Sequence, residues 1–236
     1  MDLRRSETSI SIRPICENSL NPRSIPIMPA TIKVLLIEHQ PLTRIGIKAV
    51  LSAEEDIVIA GEADSAAKGF SLFTNLKPDV TILSLRMPDS CAIDELDTYF
   101  AANSNAKLIV LAEHAGDSEI SRALKRGALG YICNGISPGD LITAIRTVSK
   151  GKKYIPEEIA QILSENIGRE ELTKAEQTVL RMIVGGMSNK EIGFALDVTE
   201  NTVKTHVKNI FDKIGVSDRT SAATLAIKRG LVRIDL

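Results

Sequence analysis

The sequence predicts a doubly wound α/β domain with a five-stranded parallel sheet, followed by a four-helix domain that contains a helix-turn-helix. Three observations support this prediction. Short apolar runs alternate with helical segments through residues 32–150, which is typical of a parallel sheet covered on both faces. Capping boxes at Thr173 and Ser188 mark two successive helix starts. A further helix with apolar residues at helical spacing follows a short turn at Asp197-Val198.

The first domain is predicted to contain five strands and five helices. The strands are predicted at 33–37, 57–62, 80–84, 107–112 and 130–133, where apolar residues run without interruption. The helices are predicted at 42–53, 66–75, 92–101, 118–126 and 138–150, from apolar residues spaced three or four positions apart. A doubly wound sheet places its functional crevice at the carboxyl ends of its strands. We therefore expect the functional residues of this domain at Glu38, His39, Ser84, Ala112 and Asn134.

The remaining segments complete the division of the chain. Residues 1–30 are rich in Ser, Pro, Asn and Arg and predict a disordered N-terminal extension, with Met28 as an alternative start. Residues 31–150 form the α/β domain. Residues 151–170 predict a linker with a short helix that starts at Pro156, followed by a polar hinge near 168–171. Residues 171–236 form the helical domain.

Composition limits the possible functions. The chain has 236 residues, 44% of them hydrophobic, and a net charge of −1, so cations that bind DNA must act by their placement. No apolar run approaches the length of a membrane span, and no signal-peptide core is visible, so we expect a cytoplasmic protein. Cys16, Cys91 and Cys133 lack metal-site spacing and predict free thiols, with a redox switch between Cys91 and Cys133 as the less favoured alternative. We expect no metal and no cofactor.

The helix that starts after Thr199 is predicted to read DNA. Its apolar residues Val203, Val207, Ile210 and Ile214 recur at helical spacing and form one face. The opposite face carries cations and hydrogen-bonding groups, which suit phosphates and base edges in a major groove: Asn201, Lys204, Thr205 and Lys208. The alternative is an amphipathic helix whose lysines only face solvent. The two capping boxes and the short turn favour the DNA-binding interpretation.

The run SNKEIGFALDVTENTVKTHVKNIFDKIGV resembles the DNA-binding domain of LuxR/NarL-type transcription factors. The resemblance implies that the third helix of the domain lies in the major groove and that the fourth contributes to dimerisation. It implies base contacts by Lys204, Thr205 and Lys208. It also implies phosphate contacts by Lys190, Thr199, Thr202 and His206, although His206 could equally be a packing residue.

The segments VLLIEHQPLTR, GEADSAAKGF, KPDVTILSLRMP, KLIVLAEH and RGALGYICNG resemble the receiver domain of two-component response regulators. The domain order is that of the NarL/FixJ subfamily. The resemblance implies a phosphorylation pocket built from two acidic Mg²⁺ ligands, a phosphoaccepting Asp, a Thr or Ser, and a Lys. The aligned residues are Glu38, His39, Ser84, Ala112 and Asn134. Only Glu38 keeps the required chemical type, so we predict a pseudo-receiver that takes no phosphoryl group from a kinase.

These observations predict a transcription factor that binds double-stranded DNA as a homodimer, with a protein partner or small ligand acting at the pseudo-receiver. The final helix carries Ala222, Ala223, Leu225 and Ala226, which suit either a dimer contact or packing within the domain. The alternative function is an interaction module in which the pseudo-receiver titrates a kinase or another response regulator. An enzyme with Ser84 as nucleophile and His39 as base is least favoured, because no glycine-rich elbow surrounds Ser84.

Overall fold

The structure is a computed structural model that describes residues 31–114, 116–165 and 170–232. The predicted extension at 1–30, Cys16, and the first two positions of the predicted hinge at 168–171 lie outside these ranges. Within them, no helix is both long enough and apolar enough to cross a membrane.

A five-stranded parallel sheet in the order β2-β1-β3-β4-β5 forms the centre of the first domain. Its strands are β1 (Ile32–Ile37), β2 (Ile57–Ala63), β3 (Val80–Ser84), β4 (Leu108–Ala112) and β5 (Gly130–Cys133). Each boundary lies within one residue of its predicted position. Every residue of β3 and β4 is buried, since helices cover both faces of a parallel sheet. The predicted fold class is confirmed.

Two helical layers cover the sheet. The helices are α1 (Pro41–Leu51), α2 (Ala66–Leu76), α3 (Ala92–Ala102), α4 (Asp117–Lys125) and α5 (Pro138–Ser149). Helices α1 and α5 pack on one face through residues such as Leu51 and Ile145. Helices α2, α3 and α4 pack on the other face through residues such as Phe73, Leu96 and Ile120. The carboxyl ends of the strands therefore stay open along one edge of the sheet.

Helix α6 (Glu157–Glu165) packs on the first domain. Ile159 is buried in the same core as α3 and α4, and Ile155, Ile162 and Leu163 pack around it. Just before the helix, the Tyr154 amide N–H donates to the Leu129 carbonyl at 2.8 Å. The short helix predicted for the linker is thus part of the first domain's packing.

The second domain consists of α7 (Lys174–Val184), α8 (Asn189–Leu196), α9 (Glu200–Ile214) and α10 (Arg219–Lys228). Both predicted capping boxes are formed: the Thr173 and Ser188 hydroxyls accept backbone N–H groups, and Glu176 and Glu191 return the hydrogen bond. Its core is self-contained, because all of the core residues lie between Leu172 and Val232.

The small residues on α10 were predicted to serve either a dimer contact or packing within the domain, and two of them pack within the domain. Ala222 and Ala226 are completely buried in the core of their own domain. Leu225 packs against the same core. A dimer contact through α10 would therefore have to use other side chains of this helix.

Candidate nucleic-acid interface and the sheet-edge pocket

Helix α9 presents a polar face because its start and its buried side are fixed. The Thr199 hydroxyl accepts the Thr202 amide N–H at 3.1 Å and caps the helix. Asp197, in the turn before it, adopts a left-handed conformation with φ of 52° and ends α8. Val203 and Ile210 are completely buried, so the rotation of α9 about its axis is set by its apolar side.

The residues predicted to contact bases and phosphates lie on the outer side of α9 and at the start of α8. Asn201, Lys204, Thr205 and Lys208 are all exposed, as is Lys190 on α8. His206 is half-buried. Exposed cations and polar groups on one capped helix form a surface that can approach an anionic groove.

Some of these polar groups already have partners. The hydroxyls of Thr199 and Thr202 lie 2.9 Å apart and share one hydrogen bond. Whichever hydroxyl donates, the hydrogen of the other is left for an acceptor such as a phosphate oxygen. The Thr205 hydroxyl donates to the Asn201 carbonyl at 3.1 Å, which leaves its oxygen as an acceptor.

Glu200 is a member of this surface that the sequence interpretation missed. Its carboxylate lies 2.9 Å from the Lys204 ammonium, and both side chains are about half exposed, at 48% and 59%. The hydrogen bond and charge of Lys204 hold the pKa of Glu200 below its usual range, with a smaller contribution from Lys190. The two lysines therefore lie close to the same carboxylate. The four-residue spacing of Glu200 and Lys204 is the signal that could have identified the pair.

One ion pair and one side-chain hydrogen bond hold the helices behind this surface. The Lys213 ammonium of α9 lies 2.9 Å from Glu176 of α7, and both side chains are largely buried. Burial opposes the charge on Glu176, but the hydrogen bonds from Lys213 and Thr173 hold its pKa below the usual value. The Arg219 guanidinium donates to the Met187 carbonyl and thereby links the start of α10 to the start of α8.

The second candidate site is a small pocket at the carboxyl edge of the sheet. It encloses about 10 Å³ and is lined by four of the five predicted residues, Glu38, Ser84, Ala112 and Asn134, together with Gln40, Arg86, Leu111 and Glu113. This volume is near the minimum for a single water molecule. The predicted site residues other than His39 are therefore brought together, but around very little space.

Several polar groups of this pocket form hydrogen bonds within the protein. Glu38 is 2% exposed and accepts the Gln40 amide N–H at 2.7 Å. The Gln40 side-chain amide also donates to the carboxylate of Glu113, linking the loops after β1 and β4. The Ser84 hydroxyl donates to the Arg86 carbonyl at 3.2 Å.

His39 does not take part in the pocket in the way the sequence suggested. Its Nδ1 lies 3.3 Å from the Glu38 carboxylate but has no hydrogen-bond partner among the described residues. The Ser84 hydroxyl is directed at Arg86, so the structure does not form the nucleophile–base pair with His39. His39 is not among the residues that line the pocket, although it lies beside Glu38, which is, so its role in this site stays a prediction.

These residues do not fit a hydrated Mg²⁺ ion, the metal that the receiver resemblance implies. Magnesium requires six oxygen ligands in octahedral geometry and usually keeps several waters, which a space of about 10 Å³ cannot hold. Across the part of the chain that the structure describes, no group of three or more His, Cys, Asp or Glu side chains could hold a metal ion. Cys91 and Cys133 are free thiols in this structure.

Tyr131 of β5 lies completely buried near this edge of the sheet. Its hydroxyl has no hydrogen-bond partner among the described residues. Burial is the main cause that raises the pKa of this phenol. Ala112 of β4 has no hydroxyl that could serve as the missing partner.

Comparison with known proteins gives a family for each domain. The family described as bacterial regulatory proteins, luxR family, matches residues 170–226. The response regulator receiver domain matches residues 34–146. The transcriptional regulatory protein LiaR of Bacillus subtilis is 37% identical over 209 residues, covering 85% of this chain and 99% of LiaR. The nitrate/nitrite response regulator NarL of Escherichia coli is 33% identical over 204 residues, covering 83% of this chain and 94% of NarL.

Solved structures with the same fold include RcsB from Salmonella enterica serovar Typhimurium bound to the promoter rprA. That structure has a TM-score of 0.65 and 24% sequence identity, and it covers 84% of this chain and 99% of RcsB. A structure of two RcsB dimers on two parallel DNAs has a TM-score of 0.66 at 23% identity, with 84% and 98% coverage. At these identities the likeness shows the fold.

Proposed function

The chain belongs to the response regulators of the luxR family, and from this membership we propose that it is a transcriptional regulator that binds double-stranded DNA. The observation that carries the proposal is the exposed polar face of α9 on a capped, rigidly packed helix. Lys204, Thr205 and Lys208 read base edges, together with Asn201. The start of α8 and the cap of α9 hold the phosphate backbone through Lys190, Thr199, Thr202 and His206. The proposed domains are an N-terminal extension at 1–30, a receiver-like domain at 31–150, a linker at 151–170 and the DNA-binding domain at 171–236.

The regulator binds as a homodimer, because two reading helices are needed to contact both half-sites of an inverted repeat. The first domain supplies a surface that supports self-association. On α1, Leu42 and Ile45 are exposed at 84% and 61%. Beside them is an apolar cavity of about 250 Å³ lined by residues of α1 and α5, including Ile47 and Leu141. Exposed apolar side chains and an apolar cavity on the same helix suit a two-fold contact between copies.

The regulator acts without aspartyl phosphorylation. A Ser hydroxyl at position 84 cannot form the acyl phosphate that a kinase-donated phosphoryl group requires. Ala112 and Asn134 provide neither the hydroxyl nor the cation that would hold such a group. The hydrogen bond from Gln40 to Glu38 supports this proposal, because it engages the one carboxylate that the resemblance assigns to Mg²⁺. Abundance, a protein partner or a small ligand then provides the regulation.

DNA binding is tested by selecting binding sites from random duplexes with the full chain and with a 168–236 fragment. Both are expected to enrich the same inverted repeat. If only the fragment enriches a site, the first domain covers the DNA-binding surface. If neither does, the DNA-binding proposal fails, and the interaction module becomes the better account.

Alanine substitutions then test whether α9 provides the DNA-binding surface. Lys204→Ala and Lys208→Ala are each expected to cost about 1–3 kcal/mol in binding to the selected site. Lys68→Ala is the matched control, since Lys68 is also exposed and also pairs with an acidic residue four positions away, Asp64. Lys68 lies on α2, so its loss should leave DNA affinity unchanged.

Phosphorylation independence is tested by incubating the chain with Mg²⁺ and acetyl phosphate and measuring its intact mass. No mass increase is expected, and the affinity for the selected site should be the same with and without the phosphodonor. A stable phosphoryl adduct within the first domain, or a phosphodonor-dependent rise in affinity, would contradict the proposal.

A further inference from the structure

The end of α10 contacts the start of α4 and thereby joins the two domains. The Arg229 guanidinium forms a paired hydrogen bond with Asp117, with Nε 3.0 Å from Oδ1 and Nη2 2.8 Å from Oδ2. Both side chains are largely buried, with exposed fractions of 14% and 8%. Such two-pronged Arg–carboxylate contacts are strong and fix geometry as well as charge.

Backbone atoms take part in the same contact. The Ser118 amide N–H, in the first turn of α4, donates to the Arg229 carbonyl at 3.2 Å. First-turn amides have no partner within their own helix, so the second domain satisfies one of them. We call the contacts of Asp117 and Ser118 with Arg229 the α4–α10 clasp.

Two glycines allow the clasp to be this close. A Cβ atom at Gly116 would lie 2.9 Å from the backbone of Arg229. A Cβ atom at Gly230 would lie 2.5 Å from the side chain of Glu119, and Gly230 also has a φ of +65° that other residues rarely adopt. The backbones of the two domains therefore meet at positions without side chains.

The clasp differs from the other ion pair beside it. Lys125 of α4 pairs with Glu171, but these side chains are 64% and 78% exposed. Exposed pairs contribute little because solvent screens them. Losing one partner of the largely buried Asp117–Arg229 pair would leave the other charge poorly satisfied. Of these two ion pairs, the clasp is therefore the one that contributes more to the relative placement of the domains.

The clasped arrangement leaves the DNA-binding surface open, since Lys204 and Lys208 are exposed while Arg229 is buried against the first domain. We infer that the α4–α10 clasp positions the second domain for DNA binding rather than holding it away from DNA. This inference rests on the proposed function. A domain held in its binding orientation loses less orientational freedom when both copies of a dimer engage DNA.

The clasp is also connected, through Glu119, to the loop after β3 that borders the sheet-edge pocket. Glu119, next to Gly230, lies 3.2 Å from the Arg86 guanidinium. The backbone carbonyl of Arg86 in turn accepts the Ser84 hydroxyl. A continuous set of contacts thus runs from the pocket to the clasp, and a change in the pocket has a path to the orientation of the second domain.

The test uses Arg229→Gln in the full chain, with two readouts. The first is amide hydrogen exchange at Ser118, which reports the clasp without DNA. The second is affinity for the inverted repeat that the wild-type chain selects. Exchange at Ser118 should become at least about tenfold faster, and affinity should fall by about tenfold, a factor that corresponds to about 1.4 kcal/mol.

Two further variants separate positioning from simple charge loss or misfolding. Lys228→Gln removes an adjacent exposed cation from α10 and should leave both readouts at wild-type values. Arg229→Lys keeps the charge but loses the paired geometry, so it should recover only part of the affinity. Helical content by circular dichroism should be the same in all four proteins.

Three results would overturn the inference. Higher affinity in Arg229→Gln would mean that the clasp restrains DNA binding. Faster Ser118 exchange with unchanged affinity would mean that the clasp does not position the domain. Unchanged Ser118 exchange would mean that the clasp does not form in solution. If the wild-type chain selects no DNA, the proposed function fails, whereas the exchange readout still reports whether the clasp exists.

Discussion

Replacing Lys213 with Met should destabilise the second domain, because Lys213 is the main partner of a buried carboxylate. Glu176 is 5% exposed, and the two groups lie 2.9 Å apart. In the variant, Glu176 keeps the Thr173 amide N–H at 2.8 Å, so it is not left entirely without a partner. Loss of a hydrogen bond between charged groups then costs about 2 kcal/mol. For a domain of this size that corresponds to a fall in Tm of about 10 °C.

The assay is thermal unfolding of the 168–236 fragment by far-ultraviolet circular dichroism. The fragment is suitable because its core contains residues of the second domain alone. Lys208→Met is the matched control, since it removes an exposed cation from the same helix. Its free energy of unfolding should stay within about 0.5 kcal/mol of the wild type.

The pH dependence gives a second criterion. The pKa of Glu176 lies below its ordinary value of 4.5 in the folded state, so its ion pair stabilises the domain fully above that value. The stabilisation is lost as the pH falls through the folded-state pKa. The difference in Tm between wild type and Lys213→Met should therefore shrink in acid. A variant within about 2 °C of wild type at neutral pH, or a difference that does not change down to about pH 3, would refute this account of Glu176.

Three other substitutions test separate parts of the structure. Asp89→Ala removes a carboxylate that accepts two amides at the start of α2, at 2.9 and 3.1 Å, and should cost about 1 kcal/mol in chemical denaturation of the full chain. Burial opposes the charge on Asp89, but those two amides hold its pKa below the usual 3.8. The loss of stability should therefore vanish as the pH falls through the folded-state pKa of Asp89. A loss that stays constant with pH would contradict the role of Asp89 in capping α2. Gly69→Ala places a Cβ atom 2.5 Å from the Ile37 side chain and should lower the free energy of unfolding by about 1–3 kcal/mol. Gly46→Ala is the control, since the space around Gly46 is open, and it should cost far less. Equal losses of stability in the two variants would refute the packing argument. Lys208→Ala should leave the slope of log affinity against log salt unchanged, because Lys208 is proposed to contact bases; a fall in the slope of about 0.9 would mean that it holds a phosphate instead.

The DNA-binding surface shows what local sequence can predict. The capping boxes at Thr173 and Ser188 are formed where the sequence placed them, because capping depends on residues three positions apart. The buried and exposed faces of α9 also follow from the sequence, since the helical period fixes which side chains share a face. The roles of single residues on that face remain predictions.

The sheet-edge pocket shows where local sequence is insufficient. His39, which the alignment assigned to the pocket, is not among its lining residues, whereas Gln40 and Glu113 are and connect the loops after β1 and β4. Position along a strand fixes which edge of the sheet a residue reaches. It does not fix which of two neighbouring side chains turns inward.

The sequence by itself determined the two fold classes, the positions of the strands and helices, and the composition of the DNA-binding surface. These features depend on periodicity and capping within a few residues. Tertiary structure decided which charged groups pair across long separations. Glu176 meets Lys213, 37 positions away, and Asp117 meets Arg229, 112 positions away. Neither pair has a local signature, because each exists only where separately formed helices pack against one another. The same packing buried Ala222 and Ala226 within their own domain.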